Sequence, residues 1–219
     1  MDRTLWGLLA VLCITCPAPP ARATGQAPDI IEIDGKEADL NTNPLAPYLS
    51  AHPEQRPTSD VVSSGLWRGY IAHWQIAEGA LRLVKVEVLA GGGSSGGEDM
   101  KDVTAQYFPQ APLVATWYSG ALIIPRGELV NYVHMGYAST YEAYTVVVVK
   151  NGIVAKRDEL PLAQFEAYRR LKFDEFKSTK LYAAEFKRAR KQMKSSTMAE
   201  QFLFEFYAEQ YLSSIEQPK

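Results

Sequence analysis

Asn151-Gly152 sits between residues 141–150 (YEAYTVVVVK) and 153–156 (IVAK), and no other dipeptide restricts the fold of this 219-residue chain as tightly. A two-residue turn between right-twisted antiparallel strands needs φ > 0 at both central positions, and Asn followed by Gly meets that need at low steric cost. The flanks are β-branched and aromatic, which suits a pleated surface. The unbroken valine run 146–149 predicts a central strand buried on both faces.

Two further hairpins are expected upstream. Residues 66–76 (LWRGYIAHWQI) and 80–89 (ALRLVKVEVL) flank Ala77-Glu78-Gly79. Alternation along the first places Leu66, Arg68, Tyr70, Ala72, Trp74 and Ile76 on one face, and Trp67, Ile71, His73 and Gln75 on the other. Residues 113–124 and 129–134 flank Pro125-Arg126-Gly127, which reads as a turn. Residues 29–34 (DIIEID) read as a short strand ending in a turn at Gly35. Residues 41–57 hold four prolines, each without a backbone donor, and predict an irregular surface segment.

After Leu160 the apolar period changes from two to helical. Phe165, Tyr168, Leu171, Lys172 and Phe176 recur at steps of three and four, with Pro161 at the first helical position. A break is expected near Ser178-Thr179, and Thr197 with Glu200 forms a capping-box pattern before the aromatic run 202–207. The fold class is therefore α+β: an antiparallel sheet of about three hairpins over residues 24–160, then two or three α-helices over residues 161–219.

The first 23 residues carry an export signature. Arg3 precedes an apolar run of ten, residues 5–14, and Ala21-Arg22-Ala23 has the small-x-small pattern of a cleavage site. Ten residues are too few for a permanent span, which takes about 20. Removing 23 residues from 219 leaves 196 and takes away both cysteines, Cys13 and Cys16, so the mature chain is expected to have neither disulfides nor thiolate chemistry. Thr15, not Gly, Ala or Ser, precedes Cys16, which argues against lipidation there. The expected location is outside the cytoplasm, in the periplasm.

Net charge is −2, but it is unevenly placed. Residues 24–168 hold ten Lys/Arg against seventeen Asp/Glu, residues 169–194 hold ten against three, and residues 195–219 hold one against four. An acidic body is thus followed by a basic stretch, densest at residues 187–194 (KRARKQMK) with Lys187, Arg188, Arg190 and Lys191. Candidate partners for that stretch are an anionic lipid surface, a cell-envelope polymer, a protein, or the chain's own acidic body. Nucleic acid is not expected as a partner of an exported chain.

Several of these segments bring a family to mind. The W-R-G-Y segment at Trp67, the strand from Trp117 ending in I-P-x-G at Gly127, and the Y-x-H-M-G-aromatic turn from Tyr132 to Tyr137 that ends in Tyr141-Glu142 resemble a group of small bacterial proteins of unassigned function. The resemblance spans roughly residues 30–154, with the motifs in order. It implies a single β-rich module and assigns no activity.

Residues 132–142 (YVHMGYASTYE) hold the densest set of reactive side chains. His134 and Glu142 could act as a general acid/base pair, with Ser139 or Thr140 as nucleophile, yet no G-x-S-x-G elbow surrounds the serine. The same residues could instead order a turn. Arg68 shares a face with Tyr70 and Trp74, and with Trp67, Trp117 and Tyr132 nearby it suggests an aromatic and arginine recognition surface on the sheet; an internal ion pair is the competing role. The three histidines His52, His73 and His134 have no metal-ligand spacing, and no cofactor signature is present. The glycines of residues 90–97 are followed by Glu98 and Asp99 instead of a lysine or a helix start, which argues against a phosphate cradle; Glu98, Asp99 and Asp102 lack the spacing of a calcium loop. Three function classes stay open: a non-catalytic binding module, a hydrolase-type enzyme using His134 and Glu142, and an assembly protein pairing through residues 198–212.

Overall fold

The computed structural model describes residues 26–59, 61, 63–91, 99–133 and 137–213. The expected signal at residues 1–23, the glycine-rich residues 92–98 and His134 lie outside the described residues. The fold is α+β, with one sheet of nine strands: β1 (Asp29–Ile33), β2 (Lys36–Leu40), β3 (Ile71–Ala77), β4 (Ala80–Leu89), β5 (Met100–Asp102), β6 (Leu113–Val114), β7 (Gly120–Asn131), β8 (Thr140–Lys150) and β9 (Ile153–Pro161). This is larger than the three hairpins expected. Seven strands run in the order β2-β1-β3-β4-β9-β8-β7, while β5 and β6 pair with β4. All these pairings are antiparallel except that of β1 with β3. Asn41, just past β2, donates its N–H to the Ile123 carbonyl of β7 at 2.8 Å, so the two ends of the path meet and the sheet curls on itself.

The Asn151-Gly152 turn forms as expected between β8 and β9, with φ of 48° and 80°. The same pair of positive φ values closes β1–β2 at Asp34-Gly35 and β3–β4 at Glu78-Gly79. Other expectations are corrected. Strand β3 starts at Ile71, because Ser64–Leu66 forms a 3-10 turn and Gly69 takes φ 83°. Pro125-Arg126-Gly127 is not a turn but lies inside β7, where the register jumps between Arg126 and Leu129. A single bulge can take up both a missing N–H and a positive φ, here 74° at Gly127, without ending the strand. β7 therefore pairs with β8, and residues 132–139 connect the two.

The proline-rich segment lies at the surface over residues 50–56, but its residues 42–45 and Leu49 are buried. It contains the short helix α1 (Ala46–Ala51), with Leu45 and Leu49 fully buried against the sheet interior. Its prolines rule out a ladder but not a one-turn helix, where Pro fits the first positions. A second short helix, α2 (Thr104–Tyr107), follows β5.

Two hydrophobic cores share strands β7 and β8. The interior of the curled sheet holds Ile31, Leu40, Tyr70, Trp74, Leu83, Leu122, Val147 and Val149. The outer face of β7 and β8 presents Ala121, Ile123, Tyr144 and Val146 to the helical layer. The valine run is thus buried on both sides. That layer comprises α3 (Leu162–Lys177), α4 (Lys180–Gln192), α5 (Ser196–Phe206) and α6 (Ala208–Ser213). Phe165 of α3 stacks on Tyr144 with centroids 3.7 Å apart, and Phe173 and Phe176 meet Tyr211 of α6. Burying each such ring contributes roughly 1.5–3 kcal/mol. The Thr179 hydroxyl caps α4 by accepting the Tyr182 N–H, and Ser195, not Thr197, caps α5 by accepting the Met198 N–H. Pro161 ends β9 and stands just outside α3. No helix among the described residues is long and apolar enough to cross a membrane.

A Cβ on Gly152 would sit 2.9 Å from the Ala115 backbone while the residue holds φ 80°. Gly152→Ala is expected to cost more than about 1 kcal/mol in denaturant unfolding. Asn151→Gly, at a turn position with open φ, should stay within about 0.5 kcal/mol.

Candidate functional site

Inside the curled sheet, at the start of β1, Asp29 is fully buried. Its position follows from the alternation of β1, which turns Asp29, Ile31 and Ile33 inward together. Its carboxylate accepts three hydrogen bonds: from Arg68 Nη2 at 2.9 Å, from the Ala72 N–H at 3.1 Å and from Trp74 Nε1 at 3.0 Å. Arg68 arrives from the turn before β3. Its Nη2 also donates to the Ala27 carbonyl at 3.0 Å, and its Nη1 donates to Asn43 Oδ1 and to the Tyr137 hydroxyl. Tyr137 donates to Asn43 Oδ1 at 2.9 Å, and Asn43 Nδ2 donates to Glu209 of α6. The guanidinium also lies 5.7 Å from the Tyr70 ring centre and 5.9 Å from that of Tyr137.

Burial pushes the Asp29 carboxyl above its usual range, against the pull of Arg68, Trp74 and the Ala72 N–H. Desolvation also works against the Arg68 charge, but Asp29 and Tyr137 outweigh it and hold the guanidinium protonated. Burial raises the Tyr70 and Tyr137 hydroxyls, so both act as neutral donors or acceptors. The cluster is an internal ion pair that engages both Nη groups of Arg68, and it leaves no fork with which to clamp an external carboxylate. Arg68 Nε is buried without a protein partner, as is Oε1 of Gln26, whose Nε2 donates to the Ala27 and Gly65 carbonyls at 2.9 and 3.2 Å.

The expected aromatic and arginine surface is therefore dispersed. Arg68 and Tyr70 are buried, and Trp117 is half-buried with Nε1 donating to the Pro44 carbonyl at 2.9 Å and its ring 4.7 Å from that of Tyr48. The physical reason is that Arg68 lies on a turn, not on the pleat of β3, so alternation does not apply to it. Trp67 (68%) and Tyr132 (51%) are exposed. Glu142 supports the β7 bulge by accepting the Glu128 N–H at 3.1 Å, and the Ser139 hydroxyl bonds both the N–H (3.0 Å) and the carbonyl (3.2 Å) of Val133. Those contacts order the β7–β8 connection; the other half of the expected acid/base pair, His134, lies outside the described residues.

Sequence reasoning missed Asp29 as the partner of Arg68. The signal was present, since an acid in phase with Ile31 and Ile33 must be buried and must find a cation. It also missed the pair His73 Nε2–Glu87 Oε2 at 2.5 Å, joined by Lys85 Nζ to Glu87 Oε1 at 3.0 Å, on the outer face of β3 and β4. Among the described residues no group of three or more His, Cys, Asp or Glu is arranged to hold a metal.

The helical layer carries an open concavity of about 410 Å³ between α3 and α5. Phe173 and Phe204 form its floor, with rings 5.2 Å apart. At one end Lys177 bridges Asp174 at 3.0 Å and Glu200 at 2.6 Å; at the other Arg170 lies 5.9 Å from the Phe204 ring centre. Thr197 and Gln201 add neutral polar groups along the α5 wall. An aromatic floor with polar rims suits an amphipathic chain segment.

Truncating one member of a buried ion pair strands the other. Arg68→Met is expected to destabilise the fold by about 3–5 kcal/mol in denaturant unfolding, with Asp29→Leu similar, and the double variant should recover part of the sum. No protein-family model, curated protein or solved structure matches this chain.

Proposed function

We propose that this chain is an exported, non-catalytic interaction module that recognises a polypeptide segment through the groove between α3 and α5. The observation that carries this reading is the groove itself: about 410 Å³, floored by Phe173 and Phe204, and open to solvent between two helices. The volume lies in the range of ligand pockets, about 300–1,000 Å³. The inward use of Arg68 and Tyr70 supports moving the recognition surface from the sheet to the helices. The N-terminal apolar run and small-x-small site support export. The sheet then serves as a rigid platform, and α3, fixed by Phe165 on Tyr144, presents one wall of the groove.

Panning a random dodecapeptide library against the purified protein tests this. Selected peptides should bind with micromolar dissociation constants. Gln201→Trp, which fills the groove from its exposed wall, should weaken them at least tenfold, about 1.4 kcal/mol, with an unchanged circular dichroism spectrum. Peptides that bind the blocked and unblocked proteins equally would refute the reading.

A further inference from the structure

The basic stretch packs on the sheet through apolar side chains of α3 and not through its charges. Its cations that have ionic partners find them within the helical layer: Arg169 with Glu166, Lys172 with Glu175, Lys177 with Asp174 and Glu200, and Arg188 with Glu185. The charge separation read from the sequence is thus preserved in the folded chain.

Helix α4 organises the remainder. It buries Ala189 and turns Tyr182, Phe186 and Met193 toward the other helices, with Tyr182 stacked on Phe186 and packed edge-on against Phe173 and Phe176. At 100° per residue, the opposite side is a ridge of Lys180, Lys187 and Lys191, all exposed. Arg188 and Arg190 flank the ridge on either side, and Lys194 extends it beyond the last turn. Glu185, the one acidic side chain of α4, faces inward, accepts the Tyr207 hydroxyl at 2.8 Å and pairs with Arg188 at 2.7 Å. The outward face therefore carries cations with no acidic side chain among them. It is about 20 Å long, from 13 residues at 1.5 Å each.

We infer that this face of α4 docks on the surface of an anionic phospholipid bilayer. Charge complementarity calls for an anionic partner, and the shape selects a surface: a straight, convex helix with its cations in one line makes contact along its whole length with a plane of headgroups. Leu181, 48% exposed, stands beside Arg188 on the same side, and gives the face an apolar residue suited to the headgroup boundary. Attachment of this kind is Coulombic, so it weakens as the screening length falls from about 10 Å at 0.1 M salt to about 3 Å at 1 M. The α3–α5 groove plays no part in it, and either can fail without the other.

Co-sedimentation of the full chain with vesicles tests the inference. The readout is the difference between vesicles of 30% phosphatidylglycerol in phosphatidylcholine and vesicles of phosphatidylcholine alone, so any headgroup-independent contribution of the N-terminal apolar run cancels. The wild-type chain should bind the anionic vesicles at least tenfold more tightly at 25 mM NaCl, and the difference should vanish at 500 mM. The combined Lys187→Gln, Arg188→Gln, Arg190→Gln and Lys191→Gln variant should lose that difference. A control removing four positive charges from the sheet, at Lys36, Lys101, Lys150 and Lys156, should keep it. Leu181→Ser should weaken vesicle binding several-fold while leaving binding to soluble polyphosphate unchanged. Three results would overturn the inference: no preference for anionic vesicles, equal loss in the control, or polyphosphate binding that exceeds vesicle binding together with vesicle binding that Leu181→Ser leaves unchanged. The last would assign the face to a soluble polyanion.

Discussion

The buried pair of Asp29 and Arg68 is the constraint on which the remaining architecture depends. A carboxylate and a guanidinium can leave water together only if nearly all their bonding capacity is met, since each stranded ion costs several kcal/mol. Meeting it here requires five separate parts of the chain: β1, the turn before β3, the segment leading into α1, the β7–β8 connection through Tyr137, and α6 through Glu209. The pair also acts on register. The β1–β3 pairing is the one parallel contact in the described sheet, and Asp29 holds it by accepting from both the Ala72 backbone and the Trp74 indole. Desolvation offsets most of the attraction in such a pair, so its net contribution to stability is small even though breaking it is costly.

Strands β7 and β8 divide the molecule into two cores. Val147 and Val149 turn into the curled sheet, and Val146 and Tyr144 turn outward onto α3 and its neighbours. The helical layer therefore covers an apolar sheet face that would otherwise lie in water, and its own position is set by Phe165, Phe173 and Phe176 on that face. The α3–α5 groove and the cationic side of α4 stay open to solvent on that layer.

The legible parts of the sequence were those governed by local rules. Asn151-Gly152, the β8 valines, the helical period after Leu160 and the break at Ser178-Thr179 all depend on residues within a few positions of each other. The misread parts had locally sound signals overridden by distant partners. Pro125-Arg126-Gly127 has turn chemistry, but β8 runs alongside and converts it to a bulge in which Glu142 meets the Glu128 N–H. Residues 41–57 read as an irregular surface segment, which holds over residues 50–56, but Leu45 and Leu49 close the interior of the curled sheet. Alternation puts Arg68 on a strand face, but the turn at Gly69 takes it off that strand.

The sequence by itself determined the α+β order, three tight turns, a strand with two apolar faces and a cationic helix after an acidic body, because period, turn chemistry and charge are properties of neighbours in the chain. Only the tertiary structure decided that Arg68 faces inward to Asp29, that the sheet closes through Asn41 and Ile123, and that the ionic partners of the basic stretch lie within its own helical layer. The first two outcomes depend on groups 39 and 82 residues apart that satisfy one another once water is excluded, which no local pattern specifies, and the third joins i,i+3 pairs to a Lys177–Glu200 contact 23 residues apart.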